Sequence, residues 1–156
     1  PVVFLVENNQ YGMGTVVGKA SAVSEIYTKG CAYDIAHRQI DGQDVFDTYK
    51  IIGEALDLAR EEGPVLLEAL TYRFVGHSMG DPERYRTKAE IEEWRQKDPI
   101  LRLQTQMAEK GMMTEQDVQD IAQFVEAEIK EIVHRIESSS LALVGLTPIQ
   151  LPAPVG

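Results

Sequence analysis

Short apolar runs alternate with helical stripes along the first half of this chain. Residues 2–6 are continuously apolar, which is typical of a strand covered on both faces. Residues 37–40 and 65–72 predict two further strands, and residues 44–62 between them repeat apolar side chains at helical spacing. The apolar positions of that helix are Val45, Tyr49, Ile52, Leu56 and Ala59. The order strand–helix–strand predicts a parallel sheet flanked by helices, an α/β fold.

Capping and turn residues set the bounds of these elements. Asp44 is a good N-cap for the helix, and Gly63 with Pro64 ends it. Residues 7–24 are polar and contain several glycines, so they predict a loop, and residues 24–31 predict a short helix.

Helical spacing dominates after residue 87. Residues 88–97 predict one helix, and Asp98 followed by Pro99 predicts the start of a second that runs to about Lys110. Thr114 caps a long helix to about Glu137. Its apolar stripe is Val118, Ile121, Ala122, Val125, Ile129, Ile132, Val133 and Ile136. We expect a surface helix packed on one side.

Three regions are therefore predicted along the chain. Residues 1–87 form part of an α/β domain, residues 88–137 form a helical region, and residues 138–156 form a tail. The tail carries prolines and no charge, so we expect it to be poorly ordered or to dock on a missing partner. Because the chain begins within a predicted strand, we expect it to be a fragment of a longer protein.

The charge excludes some classes of partner. The net charge is −10 at pH 7, which argues against general binding of nucleic acid and of anionic membrane surfaces. No apolar run approaches the length of a membrane span. The single cysteine, Cys31, has no obvious base beside it in sequence and is predicted to be a packed small hydrophobe.

Polar loops follow two of the predicted strands, at residues 7–15 and 76–82. Open α/β sheets bind ligands at the carboxyl ends of their strands, so a site is predicted there. In the first loop, Asn9 offers a side-chain oxygen, Tyr11 offers its main-chain carbonyl, and Gly12 allows close backbone approach. Such oxygen donors suit Mg²⁺. The alternative is a loop with a purely structural role.

In the second loop, His77 is followed by Ser78. Three arginines flank them in an otherwise acidic chain: Arg73, Arg84 and Arg86. These arginines either hold an anion or hold the loop itself through Asp81 and Glu83. The other histidines, His37 and His134, lack such surroundings, and His134 on the long helix is interpreted as structural.

Taken together, the motifs of the chain resemble those of one family. They are Val6–Thr15, Ile40–Gly42, Thr71–Phe74, Gly76–Ser78, Asp81–Pro82, Tyr85–Thr87 and Asp98–Ile100. In this order they resemble the alpha subunits of thiamine-diphosphate-dependent 2-oxo acid dehydrogenases, and most closely the pyruvate-specific members. The resemblance covers roughly residues 1–137 and implies the thiamine-diphosphate-binding fold.

The resemblance also implies roles for individual residues. Asn9 resembles the family's Mg²⁺ ligand, and Tyr11 resembles the residue whose carbonyl binds the same ion. Gly12 and Met13 are expected to line the cofactor. His77 resembles the catalytic loop histidine near the diphosphate and the mouth of the active site.

The resemblance raises the question of regulation. Ser78 matches a serine that a dedicated kinase phosphorylates in mitochondrial members. The other two regulatory serines are replaced by Val16 and Arg84. We therefore expect a cytoplasmic enzyme of bacterial type rather than a mitochondrial or plastid one.

The implied reaction is oxidative decarboxylation of pyruvate, with transfer of the acetyl group to a lipoyl carrier. Thiamine diphosphate would carry the chemistry and Mg²⁺ would clamp its diphosphate. The implied partners are a beta subunit, in a heterotetramer of two alpha and two beta subunits, and the lipoyl domain of a dihydrolipoyl acyltransferase. The family's second Mg²⁺ ligand lies upstream of Asn9 and is absent here, so we expect the isolated chain to be inactive.

Two alternatives stay open at this point. An acetoin dehydrogenase alpha subunit shares the loop motifs, because it uses the same cofactor and a lipoyl acceptor; a branched-chain specificity fits less well. A non-catalytic assembly module would use the helices after residue 88 to bind other subunits. A Rossmann-type nucleotide binder is poorly supported, because Val17 stands where the third glycine should be.

Overall fold

The computed structural model describes residues 1–139, and the predicted tail lies outside the described residues from residue 140 onward. The chain divides into two compact units, the first spanning Pro1–Met112 and the second beginning at Met113. The predicted division after residue 87 does not coincide with this boundary. The elements in chain order are β1 (Val3–Asn8), β2 (Tyr11–Gly12), β3 (Thr15–Val16), α1 (Val17–Ala20), a 3-10 helix (Ile26–Tyr33), β4 (Ala36–Asp41), α2 (Val45–Glu61), β5 (Val65–Leu70), α3 (Lys88–Arg95), α4 (Pro99–Glu109) and α5 (Glu115–Ser138).

A parallel sheet forms the framework of the first unit. Its described strands lie in the order β1-β5-β4, and both pairs are parallel. Asn8 of β1 and Asp41 of β4 both pair with Leu70 of β5, so the three carboxyl ends are level. The predicted parallel sheet with a helical crossover is confirmed.

The segment predicted as one long loop, residues 7–24, contains more structure than expected. β2 and β3 form a short antiparallel hairpin, and α1 adds one helical turn. Gln10 and Met13 adopt positive φ angles of 72° and 54°, which reverse the chain direction. Neither residue is glycine, so composition gave no signal for these turns.

The core lies between α2 and the sheet. It consists of Ile40, Ile51, Ala55, Ala59, Val65, Leu67 and Ala69. Of the apolar positions predicted for α2, Ala59 is buried and Ile52 packs against the core. The other three, Val45, Tyr49 and Leu56, are exposed, Tyr49 by 83%. The helix carries two apolar stripes, and the buried one places small Ala55 and Ala59 one turn apart, which allows close approach to the sheet.

β1 is less covered than its apolar sequence predicts. Phe4 and Leu5 are 52% and 53% exposed, because β1 is an edge strand of the described sheet. With Leu66 and Ile35 they line an open apolar surface.

Side-chain caps set the helix bounds close to those predicted. Asp44 accepts from the Asp47 amide at 2.9 Å, and Asp98 accepts from the Ile100 amide at 2.9 Å. Thr114 forms a reciprocal capping box at the start of α5. Each such cap stabilises its helix by about 1 kcal/mol.

The long helix α5 lies in the second unit. Its predicted apolar stripe exists, but Ile121, Val125, Ile129 and Ile132 are all exposed. The predicted packing on one side of α5 stays a prediction. Across residues 1–139, no helix combines the length and apolarity needed to cross a bilayer.

Candidate functional site

Both polar loops leave the sheet from the same edge. Asn8 ends β1 and Leu70 ends β5, and the Thr71 amide donates to the Asn8 carbonyl at 3.0 Å. This bond continues the ladder one residue past β5. The structure therefore places residues 8–16, here called the first loop, beside residues 71–87, the second loop.

Two successive asparagine turns shape the first loop. The Gln10 amide donates to Asn8 Oδ1, and the Tyr11 amide donates to Asn9 Oδ1, each at 3.1 Å. These side-chain bonds replace backbone pairing where the chain leaves β1. The turn presents Asn9 at the carboxyl edge of the sheet, half-buried.

The donor set of the first loop fits a hard cation. An amide oxygen carries two lone pairs, so Asn9 Oδ1 can accept from Tyr11 and still bind an ion. Among residues 1–139, no group of three or more His, Cys, Asp or Glu side chains is placed to hold a metal ion. The oxygens that the first loop itself offers are amide and main-chain oxygens, which suit Mg²⁺ better than a transition metal.

Asp81 organises the second loop. Its carboxylate accepts from the Tyr85 hydroxyl at 2.6 Å and from the His77 and Glu83 amides at 2.9 Å each. The bond from Tyr85, followed by those from the two amides, lowers the pKa of Asp81 to about 2. The carboxylate stays ionised at neutral pH and keeps the loop closed on itself.

Arg73 joins the two loops. Its Nη2 donates to the Met13 carbonyl at 2.6 Å and to the Tyr85 hydroxyl at 3.0 Å. Its Nη1 lies 3.4 Å from His77 Nδ1. One guanidinium therefore fixes the hairpin of the first loop and orients the histidine of the second.

Glu90, on the first turn of α3, makes the second connection between the loops. Its Oε1 accepts from the Tyr11 hydroxyl at 2.7 Å and from the Tyr72 hydroxyl at 2.8 Å. Burial, followed by the bond to Glu90, raises the pKa of Tyr11 to about 12. Tyr72 in turn stacks on Trp94 of α3, with ring centroids 5.0 Å apart. The start of α3 thus becomes part of the site.

Arg86 is the buried cation of this cluster. Its guanidinium carbon lies 5.5 to 5.8 Å from the ring centroids of Tyr11, Tyr72 and Tyr85. It forms an ion pair with Glu83 at 3.2 Å and donates to the Arg73 carbonyl. The cation–π contacts and the ion pair compensate its desolvation.

Of the two roles considered for the arginines, the structure shows Arg73 and Arg86 holding the loop itself. Arg84 is exposed. The predicted residues Met13, His77 and Ser78 are exposed at the surface of the site, and Arg73 brings the first two together. Gly12 is exposed beside them.

Sequence reasoning missed Tyr72, Tyr85 and Glu90 as members of the site. The two tyrosines lie in the motifs Thr71–Phe74 and Tyr85–Thr87, and their closeness to the arginines in sequence was the only signal that they belong to the site. Glu90 gave none, because a glutamate in the first turn of a helix is common.

Cys31 corrects a further prediction. It is exposed rather than packed, and its Sγ lies 3.4 Å from His37 Nε2. His37 Nδ1 lies 2.9 Å from the Ile35 carbonyl. The 3-10 helix packs against β4, and His37 on β4 is the neighbouring base that sequence adjacency did not show.

Comparison with known proteins agrees with this geometry. The family model described as "Dehydrogenase E1 component" matches residues 1–143. This chain belongs to the dehydrogenase E1 component family. The part of a parallel sheet flanked by helices seen here is the α/β fold of that E1 family.

Several relatives of the E1 family share more than a third of their aligned residues with the chain. "Pyruvate dehydrogenase E1 component subunit alpha" of Rickettsia conorii is 38% identical over 142 residues, covering 90% of this chain and 44% of the relative. The proteins of the same name from Rhizobium meliloti and Acholeplasma laidlawii are each 40% identical, over 85% and 88% of this chain and 38% and 41% of the relatives. The chain thus spans less than half the length of these relatives.

Proposed function

We propose that the full-length protein is the alpha subunit of a pyruvate dehydrogenase E1 component. It would carry out oxidative decarboxylation of pyruvate and pass the acetyl group to a lipoyl carrier. The observation that supports this most directly is the meeting of the two motif-bearing loops at one sheet edge, joined by Arg73 and Glu90. The names of the relatives favour pyruvate as the substrate.

Thiamine diphosphate with Mg²⁺ is the proposed cofactor. Asn9 Oδ1 and the Tyr11 carbonyl would bind the ion, while Gly12 and Met13 would line the diphosphate. Bound thiamine diphosphate supplies the nucleophilic carbon and the electron sink for decarboxylation. The Arg73 bond to the Met13 carbonyl would hold that lining in place.

His77 is the proposed catalytic residue of the chain. Arg73 Nη1 can only donate, so His77 Nδ1 is the acceptor of their contact at 3.4 Å. The ring proton is then held on Nε2, which faces away from the guanidinium. From this exposed position Nε2 can donate a hydrogen bond to a carboxylate or carbonyl oxygen of the substrate.

The proposed partners are a beta subunit, in a heterotetramer of two alpha and two beta subunits, and the lipoyl domain of an acyltransferase. A cytoplasmic location and a regulatory role for Ser78 stay predictions. An assembly module without chemistry is the second candidate, and the exposed apolar stripe of α5 favours it. Such a module would need neither metal nor cofactor.

Substrate turnover tests the proposal. The full-length alpha subunit, assembled with its beta subunit, thiamine diphosphate and Mg²⁺, is assayed with pyruvate, acetoin and a branched-chain 2-oxo acid. We expect pyruvate to give the highest kcat/KM, and His77→Gln to lower it by about a hundredfold. His134→Gln on α5 is the matched control and should leave it unchanged. Turnover of acetoin alone would favour the acetoin enzyme, and no turnover of any substrate would favour the assembly module.

A further inference from the structure

Glu68 is a completely buried carboxylate at the centre of the sheet. It lies on β5, the central strand, and its exposed fraction is 0%. A buried carboxylate is costly unless several donors satisfy it. Its place in the fold therefore depends on the groups that surround it.

Three donors from three different elements converge on Glu68. Asn8 Nδ2 donates to Oε1 at 2.6 Å. The Tyr27 amide of the 3-10 helix donates to Oε2 at 2.9 Å, and Gln39 Nε2 of β4 donates to Oε2 at 3.3 Å. Glu68 thus ties the end of β1 to β4 and to the 3-10 helix.

The bond to Asn8 reaches the first loop. Asn8 is buried, and its amide is held on both sides, since Nδ2 donates to Glu68 while Oδ1 accepts from the Gln10 amide at 3.1 Å. A carboxylate only accepts and a backbone amide only donates, so one orientation of the Asn8 amide satisfies both. Glu68 therefore fixes the orientation of Asn8 Oδ1.

That oxygen closes the turn that carries Asn9. Gln10 adopts a left-handed φ of 72°, a conformation that a non-glycine residue holds only when neighbouring bonds support it. The Asn8 Oδ1 bond to the Gln10 amide is such a support, and Asn9 lies between the two residues. The direction of the Asn9 oxygen thus depends on a chain of two hydrogen bonds that begins at Glu68.

We propose that Glu68 is a positioning residue for the metal-binding turn, acting through Asn8. The inference rests on the proposed function, because it assigns Glu68 to the same Mg²⁺-diphosphate site. Glu68 touches neither proposed metal ligand, and it lowers the cost of ordering Asn9 before the ion arrives.

A purely structural role makes a different prediction. If Glu68 only supports the sheet, Glu68→Gln would lower thermal stability and leave metal-dependent binding unchanged. Asp44→Ala is the matched control for that case, because the partners of Asp44 lie outside both loops and its removal costs at least one helix cap of stability.

The geometry offers a reciprocal exchange as the decisive variant. In Asn8→Asp/Glu68→Gln, the new carboxamide oxygen can accept from the Tyr27 amide and Gln39, as Oε2 does now. Its NH₂ group can donate to the new carboxylate at position 8, whose second oxygen can accept from the Gln10 amide. Every hydrogen bond is kept, with one donor and one acceptor exchanged. Each single substitution instead places two groups of the same kind opposite each other. In Glu68→Gln these are two NH₂ groups, and in Asn8→Asp they are two carboxylates.

The experiment uses the full-length alpha subunit assembled with its beta subunit. Calorimetric titration measures thiamine diphosphate binding at fixed Mg²⁺, and Mn²⁺ binding is measured separately by electron paramagnetic resonance. We expect Glu68→Gln and Asn8→Asp each to weaken both affinities about 10- to 100-fold. The double variant should return to within about threefold of wild type, and Asp44→Ala should bind like wild type with a lower Tm. Asn8→Ser, which leaves Glu68 two donors, is a milder variant and should also weaken binding.

Two results would overturn the inference. One is wild-type affinity in Glu68→Gln and Asn8→Ser. The other is a double variant that binds no better than the single variants. If wild-type protein itself shows no metal-dependent binding, the proposed function fails and the inference fails with it. Normal wild-type binding with unaffected variants removes only the role of Glu68.

Discussion

Removing the Glu90 carboxylate should release the first loop from α3. Its Oε1 accepts from both the Tyr11 and the Tyr72 hydroxyls, at 2.7 and 2.8 Å. A hydrogen bond to a charged group contributes about 1.5 to 3 kcal/mol, and the lower value suits this half-buried pair. Only the bond from Tyr11 ties residues 8–16 to α3, so Glu90→Ala should cost the first loop about 1.5 kcal/mol, which is roughly one decade in its opening equilibrium.

Hydrogen exchange followed by mass spectrometry measures that opening directly. In full-length protein, amides of residues 8–16 should exchange roughly tenfold faster in Glu90→Ala. Tyr11→Phe removes the same bond between the first loop and Glu90 and should give a similar increase. Glu93→Ala is the control on the same helix, because Glu93 makes only an exposed pair with Lys97 at 3.8 Å. Equal exchange rates in Glu90→Ala and Glu93→Ala would show that Glu90 does not hold the first loop against α3.

Three further predictions concern titration and capping. Hydrogen bonds lower the pKa of Asp81 to about 2, so the second loop should be fully ordered above about pH 4 and should lose its order as the pH falls toward 2. The rate of proteolysis within the loop should rise over this pH range. Asp81→Asn should remove this pH dependence. The pKa of Tyr11 is raised to about 12, so its contribution to stability is present below pH 10 and lost as pH rises through 12; Tyr11→Phe should remove one late phenolate step from the ultraviolet titration. Thr114→Ala should reduce the stability of α5 by about 1 kcal/mol, seen by circular dichroism, whereas Thr105→Ala inside α4 should cost less.

The order of the elements followed from periodicity because apolar spacing and capping residues are local signals. Asp44, Asp98 and Thr114 marked helix starts that the structure reproduces. The face of α2 was not predictable in the same way. Two apolar stripes run along that helix, and only the position of the sheet selects the one with Ile51 and Ala55.

The position of the candidate site was predictable, but its internal contacts were not. Polar residues at the ends of two strands indicate a shared edge once the sheet is parallel. The partners of Arg73 and Glu90, however, lie 60 and 79 residues away in sequence. The local pattern marked Arg73 beside His77 but gave no partner for it in the first loop, and it did not distinguish Glu90 from an ordinary surface charge. Only the folded chain shows that the two side chains join the loops.

The burial of Glu68 illustrates the same limit. Within the apolar run of β5, the pattern alone favours a solvent-facing position for Glu68 on one side of the strand. Its donors come from β1, β4 and the 3-10 helix, and these contacts depend on the sheet order. Tertiary structure thus makes this glutamate the most deeply buried charged residue of the described range 1–139.

One titration tests the central claim that the first loop forms a metal-dependent cofactor site. Thiamine diphosphate is titrated calorimetrically into full-length protein with its beta subunit, in Mg²⁺ and in EDTA, for wild type, Asn9→Ala and the hairpin control Thr15→Ala. The account predicts binding that requires Mg²⁺, weakens sharply in Asn9→Ala and persists in Thr15→Ala. Binding that is absent, or indifferent to both metal and Asn9, would contradict it and leave the loop with a structural role.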